Sequence, residues 1–334
     1  MKFNIQASTR NDLIMILAAV VLLMVPGTTL AALPTWGTSA RGMAGAYVVG
    51  TNNLSGISYN PAISSTVTNR QFVSDLSSRQ FGSNLSVENG TLGILERYNS
   101  TTHSITINRE RLNFDFGNFS FKPTGLSLTV NNTIGTYNLG YSPYESLHTG
   151  LSLNALVISS SVSDGQASGW GADAGLLYFP TYNLSLGGSV RSLAGYRKWS
   201  TGTKEPLSYS ARTGIRYSLA RTLQVETDTV YDERFGLTSI NAGLEWWVYS
   251  AIKRKRNTFS GRKSISYYRR RPYETYDQAF ALRFGIKQDK TSGGEIHPAF
   301  GITTIVNTMT IHYSFNNQRQ GETAHSFGFQ YKLQ

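Results

Sequence analysis

The stretch Leu207-Ser-Tyr-Ser-Ala-Arg-Thr-Gly-Ile-Arg-Tyr-Ser218 decides how the chain is read. Leu207, Tyr209, Ala211, Thr213, Ile215 and Tyr217 fall on one face of an extended segment. Ser208, Ser210, Arg212, Gly214, Arg216 and Ser218 fall on the other. This is a period of two, the period of a strand. It predicts an apolar-out, polar-in strand of about the ~9–11 residues that a tilted strand needs to cross a bilayer.

The pattern recurs along the chain. Trp170, Ala172, Ala174, Leu176 and Tyr178 oppose Gly171, Asp173 and Gly175. Leu223, Val225, Thr227 and Tyr231 oppose Gln224, Glu226 and Asp228, and Ile240 to Val248 alternate against Asn241, Gly243 and Glu245. Phe280 to Ile286 oppose Arg283 and Lys287, and Met309 to Phe315 oppose Thr310, His312 and Ser314. Leu112, Phe114 and Phe116 are followed by Phe119 and Phe121, a switch of parity at Gly117-Asn118 that reads as a bulge or tight hairpin. A soluble β-sandwich or propeller also alternates. Charges on the polar face of most strands, aromatic residues at strand ends (Tyr178-Phe179, Trp246-Trp247, Tyr267-Tyr268) and a strand at the very end of the chain favour a membrane barrel.

Composition agrees. The 334 residues include 32 Gly and 19 Tyr, which suits many short strands and aromatic girdles. The absence of cysteine excludes disulfides, thiolate metal sites and cysteine catalysis. The formal charge of +11 could point to nucleic acid, but its distribution argues otherwise. Lys253 to Pro272 carries nine basic residues and no acid, so removing those nine from +11 leaves +2.

The N-terminus reads as a signal peptide over residues 1–31. Lys2 and Arg10 precede an apolar run from Leu13 to Val25, a Pro26-Gly27 break and the small residues around Ala31. The run is short for a spanning helix, which needs ~20 residues. A short N-terminal anchor is the alternative. With no other segment fit to span as a helix, a membrane-embedded protein of this sequence has to be a closed barrel.

Residues 32–66 follow as a small-residue segment. Trp36-Gly-Thr-Ser-Ala-Arg-Gly-Met-Ala-Gly-Ala46 surrounds Arg41 with small side chains, and Asn60-Pro61-Ala62 closes it with an extended or turned exit. An ordinary Gly-rich turn would share part of this pattern. The run from Ala40 to Ala62 resembles the N-terminal segment of the FadL-type outer-membrane transporter superfamily, most closely its PorV/PorQ-like branch. Gly169 to Pro180, Asn183 to Gly188 and Pro206 to Tyr217 resemble strands of the same branch. Residues 66–165 match little beyond general character. The resemblance implies an all-β, transmembrane antiparallel barrel of about fourteen strands over residues 67–334. It also implies an N-terminal hatch in the lumen, with Arg41, Gly42, Met43, Gly45, Asn60, Pro61 and Ala62 as the part that seals or moves.

Ser326 to Leu333 alternates to the end of the chain. Gly328, Phe329, Tyr331 and Leu333 resemble the C-terminal signal read by the outer-membrane assembly machinery, although that signal ends on an aromatic residue. Counting strands back from this end puts the insert 252–278 on the periplasmic side. Its Lys253, Arg254, Lys255, Arg256, Arg262, Lys263, Arg269, Arg270 and Arg271 suggest a surface for an anionic periplasmic partner. A solvated loop reads equally well.

Catalytic patterns are missing. The five histidines have no metal-binding spacing, and no nucleophile elbow or phosphate-binding loop occurs. Glu226, Asp228 and Glu245 read as lumen charges paired with Arg212, Arg216 or Arg283. The expectation is a bacterial outer-membrane protein, in contact with outer-membrane lipids, without cofactor and not an enzyme. Its expected role is passive transport of hydrophobic molecules such as long-chain fatty acids. The alternative is a PorV/PorQ-like accessory of a type IX secretion system, which binds a partner instead.

Overall fold

A computed structural model describes residues 35–333 except 51–52, 82–84, 116–126, 162–164, 221, 253–275, 292 and 320–321. Fifteen strands follow the N-terminal segment: β1 (Gln71–Phe81), β2 (Leu85–Tyr98), β3 (Thr101–Asp115), β4 (Ser127–Tyr144), β5 (Leu147–Ser160), β6 (Ala167–Tyr178), β7 (Leu184–Trp199), β8 (Lys204–Pro206), β9 (Ser210–Ala220), β10 (Leu223–Asp232), β11 (Gly236–Ile252), β12 (Tyr276–Asp289), β13 (Glu295–Val306), β14 (Met309–Arg319) and β15 (Glu322–Lys332). Each pairs antiparallel with its neighbours, and β1 pairs with β15 over its whole length. β7 pairs with β6 on one side. On the other it pairs with β8 through Tyr196–Lys198 and with β9 through Leu184–Arg191. β8 and β9 thus share one place in the wall, and the ring closes as fourteen strands. Closure pairs the first long strand with the last, which is how a sheet can stand in hydrocarbon.

Strand parity follows the sequence pattern. On β9 the Ile215 and Tyr217 side chains point out and are exposed, while Ser210 and Arg216 point in and are buried. The same holds for Trp246 against Glu245, Phe284 against Arg283 and Tyr313 against His312. The outer surface carries an apolar band that includes Leu92, Ile105, Leu151, Leu153 and Ile215. Tyr98, Tyr141, Tyr144, Tyr178, Tyr182, Tyr217, Trp246 and Tyr331 ring the band at the end where β1 begins and β15 stops. That is the surface of a membrane-spanning barrel. Phe179 and Trp247, expected beside them in the girdle, instead turn inward and are buried. Tyr267, Tyr268 and the parity switch at Gly117-Asn118 lie outside the described residues.

The polarity inverts at the far end of β2–β7. There the lumen side is apolar: Val87, Leu112, Phe114 and Leu128 form one buried cluster. Ile134, Leu156, Ile158 and Ala167 form another, with Trp199 against it, and Val130 packs on both. The outward positions at the same level are polar, among them Glu88, Arg109 and Arg111. β7 is irregular nearby. Its residues 191–193 oppose the single residue Asp173, whose Oδ1 accepts the Ser192 amide at 2.8 Å.

The N-terminal segment lies inside the ring. Its short helix α1 (Thr38–Arg41) and two 3-10 helices, Leu54–Gly56 and Pro61–Thr66, are buried almost throughout. Asn53 and Asn60 cap the two 3-10 helices, each side chain accepting an amide two residues on. Asn60 is extended and Pro61 opens its helix, the exit that the Asn-Pro pair predicts. Gly37, with φ +124°, is placed so that a Cβ would fall 2.5 Å from the Ser55 carbonyl oxygen. Only glycine fits that entry.

Candidate functional site

The lumen and its hatch are the candidate site. Ala40, Met43, Ala46, Tyr47, Val48, Val49, Tyr59, Ala62 and Ile63 form the hatch's apolar centre, with Leu177 and Phe179 from the wall. Polar ties fasten this centre to the barrel. The strongest are on β10, where one carboxylate oxygen of Asp228 accepts the backbone amides of Tyr47 at 2.7 Å and Val48 at 2.9 Å. Glu226 accepts the next amide, Val49, at 2.8 Å. Three successive hatch amides therefore end on two carboxylates of one strand. β9 completes the clasp: Arg216 pairs with Glu226 at 2.5 Å, and Arg212 donates to the Gly45 carbonyl at 3.3 Å and lies over the Tyr59 ring.

Other ties run round the wall. Thr38 donates its amide and hydroxyl to Asp75 on β1. Asn60 donates to the Leu176 carbonyl of β6, Asn138 of β4 to the Pro61 carbonyl, and Ser189 of β7 to the Tyr59 carbonyl. Ser39 meets His312 Nδ1 of β14 at 3.1 Å, and Arg41 donates to Ser326 of β15 at 2.9 Å. Wall glycines make room for the hatch backbone. A Cβ on Gly150, Gly175 or Gly285 would overlap Pro61, Asn60 or the Met43–Ala44 peptide.

Burial lowers the Arg41 guanidinium to about 10, assisted by the nearby Arg79 and opposed by Tyr59, Asp75 and Glu110. Burial also pushes the Tyr47 phenol up to about 12. Both hold their ordinary charge state at neutral pH.

The residues expected in the hatch thus come together: Arg41, Gly42, Met43 and Gly45 against β11–β15 and β9, and Asn60, Pro61 and Ala62 against β4–β6. The lumen charges depart from expectation in one respect. Arg216 pairs with Glu226 and Arg283 with Glu245 at 2.6 Å, but Asp228 is spent on the hatch amides. Its partners lie 181 and 180 residues away, so no local spacing could reveal them. On β15, Gly328 faces the hatch, Phe329 and Tyr331 face outward, and the Leu333 amide donates to the Arg70 carbonyl. The nine basic residues of the insert lie outside the described residues. Its anchoring strand ends, on β11 and β12, sit at the end of the barrel where β1 begins and β15 stops.

Among the described residues, two cavities at that end stand out, the first of them against Tyr47 and Asn53 of the hatch. One of about 50 Å³ is bounded by Tyr47, Asn53, Arg216, Glu245, Trp247, Arg283, Thr303, Ile305, Thr310, His312, Gln330 and Lys332. The other, an open pocket of about 460 Å³ at the rim, is lined by Thr68, Asn69, Arg70, Thr308, Lys332 and Leu333.

The fold superposes on those of solved transporters. The toluene transporter TbuX of Ralstonia pickettii superposes with a TM-score of 0.63 at 13% identity, over 90% of this chain and 99% of that one. The fold is that of the FadL-type barrels. A Pseudomonas aeruginosa FadL homologue gives 0.62 at 10% identity, over 92% and 100% of the two chains. The Pseudomonas putida toluene transporter TodX gives 0.58 at 13% identity, over 91% and 98%. No protein-family profile and no curated protein matches the sequence.

Proposed function

We infer that the protein is an outer-membrane channel for the passive entry of hydrophobic molecules, long-chain fatty acids and monoaromatic compounds being the classes to test. The observation that carries this reading is the apolar lumen wall at the far end of β2–β7, from Val87 to Trp199. An aqueous pore has no need of an inward apolar surface; a barrel that collects apolar solutes does. The far end then faces the outside, and the hatch blocks the route inward. The FadL-type fold supports the reading, since TbuX and TodX are toluene transporters. The hatch residues Arg41–Gly45 and Asn60–Ala62 act as the seal, Gly328 to Leu333 as the assembly signal, and the insert 252–278 as a periplasmic docking surface. No observation among the described residues favours the PorV/PorQ-like secretion role.

Native mass spectrometry with lipid extraction, on protein purified gently from its membrane, tests the assignment. A stoichiometric fatty acid or other apolar molecule is expected. A co-purifying protein without any lipid would overturn it in favour of the accessory role.

A further inference from the structure

We propose that the outer face of β2–β4 carries a binding site for a phosphorylated glycolipid of the outer leaflet, with Arg109 and Arg111 holding its phosphate. The proposal takes one thing from the transport reading above, that the far end of the barrel faces outside.

Height on the barrel comes first. Thr101, where β3 begins, pairs with Tyr98 and Tyr141 of the aromatic ring at the near end. Beyond it the outward side chains of β3 are His103, Ile105, Ile107, Arg109 and Arg111. The two isoleucines belong to the apolar band, and the two arginines follow them directly. Arg109 and Arg111 lie eight and ten residues beyond Thr101. At about 3.3 Å per residue and a tilt of about 40°, they stand roughly 20 and 25 Å above the near ring. The apolar band of such a barrel is about 25 Å tall. Both guanidinium groups therefore reach the level at which outer-leaflet headgroups begin.

The chemistry of the patch fits a lipid phosphate. Both arginines are exposed, and among the described residues neither forms an ion pair. Arg109 donates to the Asn131 Oδ1 at 3.2 Å, and Arg111 donates its Nε–H to the Asn113 Oδ1 at 3.0 Å. Each fork is thus steadied by a neutral partner and keeps most of its donors for an anion. Two acids stand near. Glu88 of β2 is opposite Arg111, and Asp115 lies two outward positions beyond Arg111 on β3. Arg109 has no acid across from it, since its neighbours are Gly90 and Thr133. The basic end of the patch is therefore its membrane end. The space beside it is open. A Cβ on Gly90 would meet only a Leu76 methyl, at 3.5 Å, and a Cβ on Gly135, opposite Ile107, would meet nothing within 4 Å. These two glycines leave shallow furrows on either side of the Ile107–Arg109 column. A phosphate bridging the two arginines lets its acyl chains run down the furrows, past Ile107 and Ile105.

The test mixes the purified full-length barrel in detergent with equimolar diphosphoryl lipid A and phosphatidylglycerol, and counts bound lipid by native mass spectrometry. The wild type should retain lipid A at least fivefold over phosphatidylglycerol. Arg109→Gln combined with Arg111→Gln should weaken lipid A binding at least tenfold while the barrel keeps its heat-modifiable gel mobility. Lys290→Gln removes another exposed far-end charge, at the turn between β12 and β13, and should leave binding unchanged. Unaltered binding in the folded double variant, or an equal loss in Lys290→Gln, would overturn the site. A preference for phosphatidylglycerol would overturn the outer-leaflet assignment. Arg109 and Arg111 face away from the lumen, so palmitate uptake in the double variant should match the wild type. A wild type that takes up neither palmitate nor toluene would bring down the transport reading and leave the binding result as it stands.

Discussion

Asp228→Ala should release the hatch from the wall. In the native lumen its carboxylate accepts two backbone amides, at 2.7 and 2.9 Å, with Glu226 taking a third from Val49. Each hydrogen bond to a charged group is worth about 1.5–3 kcal/mol, and an amide left buried without a partner costs about as much. Against this stands the relief of removing a buried charge, so the net loss is set at about 3 kcal/mol. At 1.4 kcal/mol per factor of ten, that is about a hundredfold in the opening equilibrium. Hydrogen exchange of the Tyr47 and Val48 amides in the solubilised barrel reads this directly, because local opening sets their rate. Both should exchange about a hundredfold faster in Asp228→Ala, and about tenfold faster in Asp228→Asn, whose carboxamide oxygen still accepts. Val49, held by Glu226, should change less. Unchanged exchange of Tyr47 and Val48 in a folded Asp228→Ala barrel would refute the clasp.

Further outcomes follow from the same geometry. Glu245→Ala leaves the buried Arg283 guanidinium and the Trp247 ring N–H without their carboxylate, and should destabilise the barrel by about 3–5 kcal/mol, read as a lower temperature for the heat-induced gel shift. Gly285→Ala should speed exchange in the hatch because its methyl would collide with the Met43–Ala44 peptide, whereas Gly135→Ala, with open space around it, should leave the hatch unaltered. Leu153→Arg puts a charge on the outer apolar band at a residue 59% exposed, and should cost about 2–4 kcal/mol of stability in lipid bilayers but little in detergent. A Ser260→Cys variant should resist an impermeant thiol reagent in intact cells and react once the outer membrane is breached; ready labelling of intact cells would contradict the periplasmic placement of the insert.

The barrel was legible where one physical rule governs both faces of a strand. On β9 to β12 the charges Arg212, Arg216, Glu226, Glu245 and Arg283 mark the lumen side, and the apolar residues between them mark the lipid side. The rule fails at the far ends of β2–β5. There Leu112, Phe114, Leu128 and Ile158 turn inward while Arg109 and Arg111 face out, because the strands have left the apolar band and the lumen itself is apolar. Trp247 misleads for a related reason. It follows Trp246 in sequence, but its ring N–H donates to Glu245 inside the lumen. The hatch was implied only by the resemblance of Ala40 to Ala62 to FadL-type N-terminal segments; its small residues and Asn-Pro exit alone also fit a Gly-rich turn. Its attachment was not legible. A carboxylate two strand positions from another carboxylate reads locally as an ion-pair partner for Arg212 or Arg216, and only the folded chain brings the Tyr47 and Val48 amides to Asp228. The break between β8 and β9, opposite the irregular stretch of β7, likewise depends on pairing between distant segments.

The central claim is that this hatched barrel lets hydrophobic molecules through the outer membrane. Uptake of [14C]palmitate and [14C]toluene by intact cells of a host without its own transporters tests it most directly. Expression of the protein should raise uptake of at least one of them several-fold above vector control, with saturation at high solute concentration. A folded, heat-modifiable protein in the outer membrane that leaves both at the control rate would contradict the account.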